Sequence, residues 1–206
     1  MTRRRKQRTL RESFDGLVMA IIRPPRMQYT AAELEDRDLL VSDTLFVRND
    51  YEVRNARGMK VLFSLWKPVG GYWEKNRTCI VYLHPNSTSR LDVIRSYVIQ
   101  LAAFCHCAVC GIDLSGSGMS EGDFISLGWF ESEDARVVIE ELLFLGIHRI
   151  VLFGRSMGAV TAAIVAGTYS NVLQGILCGM VLDSPFTSFE DLALGLVANG
   201  AIRVKS

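Results

Sequence analysis

The sequence lacks long hydrophobic runs, and charged residues make up only 22% of it against 49% apolar residues. Its longest apolar stretches, residues 17–22 and 157–167, are ended by Arg23 and Thr168. A helix that spans a bilayer needs roughly 20 apolar residues. A secretory signal needs a longer apolar core and a small-residue cleavage site. The sequence therefore predicts a soluble globular protein located in the cytoplasm.

A large net charge is also absent, since the chain carries a formal charge of +1. Outside the first 11 residues there are 17 basic and 22 acidic residues, which predicts a mildly acidic domain. The basic patch that nucleic-acid binding requires is missing from that domain, so no nucleic-acid partner is predicted. The positive charge is concentrated in a short N-terminal run, namely Arg3, Arg4, Arg5, Lys6, Arg8 and Arg11.

The five cysteines show the pattern of neither a disulfide framework nor a metal site. An odd number of cysteines without a secretory signal indicates reduced thiols. The stretch AFCHCAVCGID is predicted to be a buried strand, on which Cys105 and Cys107 share one face and Cys110 lies on the other. That arrangement does not close a tetrahedral site. The sequence predicts no metal and no cofactor.

Residues 10–22 place apolar side chains at helical spacing, at Leu10, Phe14, Leu17, Val18 and Ile21. One interpretation is a basic amphipathic helix on an anionic membrane surface, with peripheral membrane contact through residues 1–22. The other is a lead-in helix that packs against the domain and ends at Pro24-Pro25. Short apolar stripes usually face a core, which favours the second interpretation. We therefore divide the chain into a basic amphipathic lead-in, residues 1–22, and a domain, residues 23–206.

The rest of the chain alternates between strand-like and helix-like segments. An antiparallel hairpin is predicted from strands at 44–48 and 60–66, with a turn at 55–58. Continuous apolar strands separated by helices then predict a mostly parallel sheet with helices on both faces. Right-handed crossovers bring the carboxyl ends of such strands to one edge, where open α/β sheets bind ligands. The predicted strands are 78–83, 107–112, 149–153 and 179–182, and the predicted helices are 91–104, 131–145 and 156–169.

Gly154-Arg155-Ser156-Met157-Gly158 follows a predicted strand and opens a predicted helix. This is the G-x-S-x-G nucleophile elbow in the context that the motif requires. Glycines at both ends permit a very tight turn, and the serine hydroxyl then projects above the sheet. The helix N-terminus points at the same position and favours negative charge there.

A second group of motifs resembles the α/β-hydrolase superfamily, and more narrowly the plant and protist members of its serine aminopeptidase-like group. The matching segments are Ile22-Arg-Pro-Pro-Arg26, the His84 loop (Tyr82-Leu-His-Pro-Asn-Ser-Thr-Ser-Arg90), Asp113-Leu-Ser-Gly-Ser-Gly-Met-Ser-Glu-Gly122, Ser126-Leu-Gly-Trp129, the elbow and Val181-Leu-Asp-Ser-Pro-Phe186. The resemblance runs from about residue 20 to the C-terminus. It implies the α/β-hydrolase fold and, for function, a serine hydrolase that forms an acyl-enzyme on an ester, thioester or amide.

The resemblance also implies roles by position. Ser156 corresponds to the catalytic nucleophile, and the backbone N–H groups of Met157 and Asn86 correspond to the oxyanion hole. Pro85 departs from the usual glycine of this loop, which removes one backbone donor and fixes φ. Asp183 ends a strand and is a candidate triad acid, although Asp-Ser-Pro-Phe is usually structural in this group.

Histidine is scarce, and its positions do not suit the expected order of nucleophile, acid and histidine. The three histidines, His84, His106 and His148, all precede Ser156. We therefore expect the domain to be truncated before the last strands, which would carry the acid and the histidine. The absent histidine motivates an alternative function, a non-catalytic α/β-hydrolase-like binding module. Both functions imply a small-molecule or acylated partner.

Overall fold

The structure, a computed structural model, describes residues 16, 18–19, 21–34, 37–188 and 190. Its centre is one sheet of seven strands: β1 (Asp38–Val41), β2 (Thr44–Arg54), β3 (Lys60–Pro68), β4 (Thr78–Leu83), β5 (Ala108–Asp113), β6 (Arg149–Arg155) and β7 (Leu177–Asp183). A 3-10 helix, Ala31–Leu34, precedes the sheet. The α-helices are α1 (Gly71–Asn76), α2 (Asp92–Arg95), α3 (Val98–Phe104), α4 (Trp129–Phe144), α5 (Met157–Thr168) and α6 (Ser170–Leu173).

The strand order is β1-β2-β3-β5-β4-β6-β7. The first three strands are antiparallel and include the predicted hairpin, whereas β4 to β7 run parallel to one another. The carboxyl ends of these four strands therefore meet at one edge of the sheet, which we call the carboxyl edge. The predicted fold is confirmed, and strand β1 is an addition that the hydropathy pattern does not predict.

Strand β4 shows why the sheet needs helices on both faces. Its side chains alternate between two cores. Cys79, Val81 and Leu83 are buried in the core that contains residues of α4 and α5, while Ile80 and Tyr82 are buried in the core with residues of α2 and α3. A strand buried on both faces carries a continuous apolar sequence, which is how TCIVYL is recognised in the chain.

Two local predictions are wrong. The helix predicted at 91–104 is interrupted at Ser96, whose backbone is extended, with φ −108° and ψ −174°. Helical periodicity in the side chains continues across this break, so the sequence pattern does not reveal it. The second error concerns Cys105, which caps the end of α3 and is exposed instead of lying on the following strand. Cys107 and Cys110 are buried, and burial raises the pKa of both thiols.

The lead-in helix is described only in part, because residues 1–15, 17 and 20 lie outside the described residues. Residues 16, 18, 19, 21 and 22 are helical, and Ile21 is buried. Burial of Ile21 supports packing of this helix against the domain. Among the described residues, no helix is long and apolar enough to cross a membrane. Residues 193–206, whose sequence predicts no further strand–helix unit, also lie outside the described residues.

Candidate active site

Ser156 stands between strand β6 and helix α5 in a strained backbone conformation. Its φ is 49° and its ψ is −114°, a region that costs a residue with a side chain roughly 1–3 kcal/mol. Three hydrogen bonds hold it there. The Ser156 N–H donates to the Asp183 carbonyl at 2.8 Å, and the Ser156 carbonyl accepts from Ala159 and Val160 at 2.9 and 3.1 Å. The geometry is that of a nucleophile elbow.

The two glycines of the motif have no room for a side chain. A Cβ on Gly154 would lie 2.1 Å from the Gly158 carbonyl oxygen, so the turn closes tightly on itself. A Cβ on Gly158 would lie 1.9 Å from the Leu83 carbonyl oxygen. The start of α5 therefore rests directly on the end of β4, which brings the loop after β4 next to Ser156.

The two predicted oxyanion donors lie on elements that this contact brings together. Met157 is the first residue of α5, and the N–H of a first helical residue has no partner within its own helix. Asn86 follows β4 by three residues, in the loop that begins at the Leu83–His84 contact with Gly158. Neither amide donates a hydrogen bond to another described residue. Both are therefore available at the carboxyl edge, beside the positive end of the α5 dipole.

His84 shapes this loop and is not free to act as a base. The ring is completely buried, with Nδ1 2.8 Å from the Pro85 carbonyl oxygen. Its Nε2 accepts from the Leu114 N–H at 3.4 Å, which assigns the proton to Nδ1. Burial lowers the pKa of His84, so the ring is held neutral. The Pro85 carbonyl also accepts from the Thr88 hydroxyl at 2.9 Å, so the loop is closed by hydrogen bonds even though Pro85 replaces glycine.

The other two histidines lie at the opposite edge of the sheet. His106 precedes β5, and His148 precedes β6. A strand of seven residues such as β6 spans roughly 20 Å, so His148 is about that far from Ser156 along the sheet. All three histidines of the sequence are described, and none is placed to accept the Ser156 proton.

The Asp183 carboxylate, our candidate triad acid, is engaged by other groups. It accepts from Arg155 Nε at 3.2 Å and from the Ser184 hydroxyl at 2.8 Å. Arg155 Nη1 also donates to the Asp92 carboxylate at 3.4 Å, and the same carboxylate accepts a hydrogen bond from the Tyr82 hydroxyl. These ionic contacts, together with the Asp183 carbonyl, connect the elbow to the ends of β4 and β7.

Sequence reasoning missed a buried polar cluster around Asp113. The Asp113 carboxylate accepts hydrogen bonds from the Tyr29 hydroxyl at 2.5 Å, the Arg90 N–H at 2.8 Å and the Met119 N–H at 2.9 Å. Arg90 Nε lies 3.6 Å from the same carboxylate, with 5% of its side chain exposed. A Cβ on Gly118 would lie 2.3 Å from the carboxylate, so the loop closes around it. The sequence signal for this cluster is an aspartate at the end of an otherwise apolar strand.

Glu131 organises the Ser126-Leu-Gly-Trp129 segment in a similar way. Its buried carboxylate accepts from the Ser126 N–H and the Gly128 N–H, each at 2.8 Å, and from the Ser126 hydroxyl at 2.5 Å. The carboxylate thereby caps the N-terminus of α4, whose macrodipole it complements. Within the described part of the chain, no group of three or more histidine, cysteine or acidic side chains could hold a metal ion.

No protein-family model matches the chain, and no curated protein matches its sequence. Solved structures do match it. Two crystal forms of the esterase Pf2001 from Pyrococcus furiosus align with TM-scores of 0.66 and 0.67, at 22% and 21% identity. The alignments cover 88% and 89% of this chain but 66% and 64% of the esterase chain. This chain therefore spans slightly less than two thirds of that esterase.

Two further structures show that the shared architecture serves more than one activity. A fungal esterase from Rhizomucor miehei aligns with a TM-score of 0.54 and 18% identity, covering 78% of this chain and 50% of its own. The bottromycin epimerase BotH aligns with a TM-score of 0.51 and 20% identity, covering 73% and 55%. At these identities the likeness establishes the fold and leaves the chemistry to the site. The chain has the α/β-hydrolase fold.

Proposed function

We propose that this chain forms the nucleophile-bearing part of a serine hydrolase that cleaves an ester, thioester or amide. The resemblance of its motifs to the serine aminopeptidase-like group and the esterases among its structural neighbours support this function. The observation that carries the proposal is the backbone of Ser156, strained at φ 49° and enclosed by two glycines that admit no side chain. Such strain persists at sites where it positions a reacting group.

In the proposed reaction, the Ser156 hydroxyl oxygen attacks the acyl carbon and the serine proton passes to a base. The tetrahedral oxyanion accepts hydrogen bonds from the N–H groups of Met157 and Asn86. The intermediate collapses by breaking the bond to the leaving group, which departs with a proton as an alcohol, thiol or amine. Water then hydrolyses the acyl-enzyme and restores Ser156. The base is not assigned to His84, which is neutral, buried and hydrogen-bonded at both ring nitrogens.

The test is covalent labelling of the full chain by a fluorophosphonate, followed by intact mass measurement. We expect one adduct, located on Ser156, and none in Ser156→Ala. Ser42→Ala is the matched control, because Ser42 is an exposed serine that also has a positive φ, 52°, and lies in a turn between β1 and β2. Labelling that survives Ser156→Ala, or folded protein that takes no label, would contradict the proposal.

A second candidate is a non-catalytic binding module with the same fold. It is favoured by the position of the three histidines, two at the opposite edge and one held neutral in the core. The presence of an epimerase among the structural neighbours shows that the fold is not restricted to hydrolysis. If the second candidate is correct, Ser156→Ala leaves ligand affinity unchanged and the wild-type chain takes no fluorophosphonate. In either case we place the protein in the cytoplasm.

A further inference from the structure

Arg155, the residue between Gly154 and the candidate nucleophile, joins two neighbouring parts of the sheet through its guanidinium. It is the last residue of β6 and lies directly opposite Asp183, the last residue of β7. Its Nε donates to the Asp183 carboxylate at 3.2 Å. Its Nη1 donates at 3.4 Å to the carboxylate of Asp92, which follows β4, on the other side of β6. One side chain therefore connects the ends of three neighbouring strands.

The Asp92 end of this connection is anchored to β4 and to the loop that follows it. The Tyr82 hydroxyl, from β4, donates to the same Asp92 carboxylate. The Tyr82 ring is buried against Phe153 of β6, with the ring centres 5.7 Å apart. The Asp92 N–H donates to the Ser89 carbonyl at 3.0 Å, so Asp92 lies at the end of the loop that carries Asn86. Arg155 is thereby linked to one of the two elements that hold the predicted oxyanion donors.

The Asp183 end holds the elbow through the backbone as well as through the side chain. The Asp183 carbonyl oxygen accepts the Ser156 N–H at 2.8 Å, while its carboxylate accepts from Arg155 Nε. The peptide unit between Arg155 and Ser156 is thus restrained on both sides. A reorientation of this peptide unit would change the φ of Ser156, which is 49°. A backbone angle of this kind persists only where neighbouring contacts hold it.

These ionic contacts are too exposed to stabilise the whole domain strongly. The exposed fractions of the side chains are 35% for Arg155, 18% for Asp92 and 38% for Asp183. Ion pairs that water reaches in this way make small contributions to the free energy of unfolding. Their position beside a strained peptide gives them a local effect instead. Two nitrogens of one planar guanidinium bond two carboxylates at fixed spacing, which a lysine ammonium on a flexible stem does not reproduce.

We propose that Arg155 is a positioning residue for Ser156. Its guanidinium holds Asp92 and Asp183 on either side of β6, and it thereby keeps the Ser156 backbone at its positive φ. The start of α5, with the Met157 N–H, is then held at the carboxyl edge. The effect of Arg155 on reactivity rests on the proposed function, whereas its effect on the Ser156 backbone does not require that Ser156 is acylated.

The first experiment measures hydrogen exchange of single amides by NMR in the full chain and in Arg155→Met, which keeps an apolar stem and removes the guanidinium. We expect the Ser156 amide to exchange roughly tenfold or more faster in the variant, because its hydrogen bond to Asp183 opens locally. The Ile150 amide is the internal reference. It lies at the other end of β6 and donates to the Ile176 carbonyl at 2.8 Å, so it should keep its wild-type rate.

Two outcomes of this measurement would overturn the proposal. Equal acceleration of the Ser156 and Ile150 amides would show a general loss of stability in place of a local effect. An unchanged Ser156 rate would show that Arg155 does not restrain the peptide. Asparagine in place of either aspartate keeps an oxygen that accepts a hydrogen bond, so the informative substitution is at Arg155 itself.

Arg155→Lys separates the guanidinium from its charge, and Arg136→Met is the matched control. We expect Arg155→Lys to exchange its Ser156 amide nearly as fast as Arg155→Met, since charge alone does not provide the two spaced donors. A wild-type rate in Arg155→Lys would contradict the role of the guanidinium. Arg136 of α4 also forms an ion pair, with Glu140 at 2.6 Å, and its side chain is 23% exposed. Its replacement should leave both amide rates unchanged.

The second experiment measures the rate of fluorophosphonate labelling as a function of probe concentration. We expect Arg155→Met to reach the wild-type final fraction of labelled Ser156, with the limiting rate constant lowered about tenfold or more and the half-saturating probe concentration unchanged. A lower final fraction reached at the wild-type rate would indicate loss of folded protein and would contradict positioning. If the wild-type chain takes no label, the proposed function fails, and the exchange measurement still decides the role of Arg155.

Discussion

The carboxyl ends of β5 and β6 lie at the same edge of the sheet, on either side of β4. They differ in how completely their polar side chains are hydrogen-bonded. At the end of β5, the Asp113 carboxylate is completely buried and accepts hydrogen bonds from donors of Tyr29, Arg90 and Met119. After β6, Ser156 is half-buried, its backbone is strained, and its hydroxyl bonds no other described residue. Saturated polar groups stabilise a fold, whereas a strained residue with an unused hydroxyl is suited to bind or react.

The sharpest way to test the β5 side of this comparison is Asp113→Asn. The substitution leaves Arg90, 5% exposed, as a buried cation without its carboxylate partner. We expect a loss of about 3–5 kcal/mol in the free energy of unfolding, because breaking a buried ion pair leaves an uncompensated charge. Urea denaturation measures this change.

The control for that substitution is Asp123→Asn, on the same loop. The Asp123 side chain is 72% exposed and lies 3.8 Å from Arg23, so we expect little change in stability. If the two substitutions lower the free energy of unfolding equally, the buried cluster does not stabilise the β5 loop more than a surface ion pair does. The contrast between this loop and the elbow would then be lost.

On the β6 side, Gly158→Ala tests whether the contact with β4 sets the elbow. The added Cβ would meet the Leu83 carbonyl at 1.9 Å, so either the helix or the loop after β4 has to move. We expect a loss of about 3 kcal/mol in stability from overpacking, together with loss of fluorophosphonate labelling.

Gly167→Ala provides the comparison within the same helix. Gly167 also lies in α5, but a Cβ there meets nothing within 4 Å. Alanine should stabilise the helix by about 0.5–1 kcal/mol and leave labelling unchanged. Retained labelling in Gly158→Ala would mean that the position of the loop after β4 does not depend on this contact.

The sequence predicts the four parallel strands well because each is recognisable from its own residues. Strand β4 occupies residues 78–83, as the run TCIVYL predicts, since burial on both faces requires an uninterrupted apolar segment. The interruption of the helix at Ser96 depends on a backbone angle that side-chain spacing does not encode. The wrong prediction of a strand at Cys105 has the same cause. Apolar residues continue across the end of α3, so side-chain pattern alone does not show where the helix ends.

The same distinction separates the parts of the candidate site. The position of Ser156 between a strand and a helix could be predicted because the motif, its strand and its helix are contiguous in the chain. The Asp113 cluster could not, because Tyr29 and Arg90 are 84 and 23 residues away from Asp113. Only the folded sheet brings them together.

A smaller effect is expected for Asp183→Asn, which tests whether Asp183 is the triad acid. Its carboxylate is 38% exposed and bonds Arg155, which is 35% exposed, so the ion pair contributes only about 0.5 kcal/mol. The backbone carbonyl that anchors Ser156 is unaffected by the change. We therefore expect fluorophosphonate labelling to fall by less than about threefold. Replacing the aspartate of an established triad by asparagine slows catalysis by roughly 10⁴-fold, so a loss near that size would identify Asp183 as the acid.

The smallest expected effect concerns His84, which joins the two loops by linking Pro85 to Leu114. Burial lowers the pKa of His84 in the folded chain below its ordinary value of about 6.5. As pH falls below that value, His84 binds a proton in the unfolded chain but not in the folded chain. The free energy of unfolding therefore decreases with acidification. His84→Asn removes this proton uptake, and the difference in unfolding free energy between pH 7.5 and pH 5.5 should become smaller. His106→Asn, at an exposed position whose φ of 50° asparagine tolerates, is the matched exchange of a histidine outside the core. If His84→Asn keeps the wild-type pH dependence, the buried His84 ring is not the group that makes the free energy of unfolding sensitive to acid.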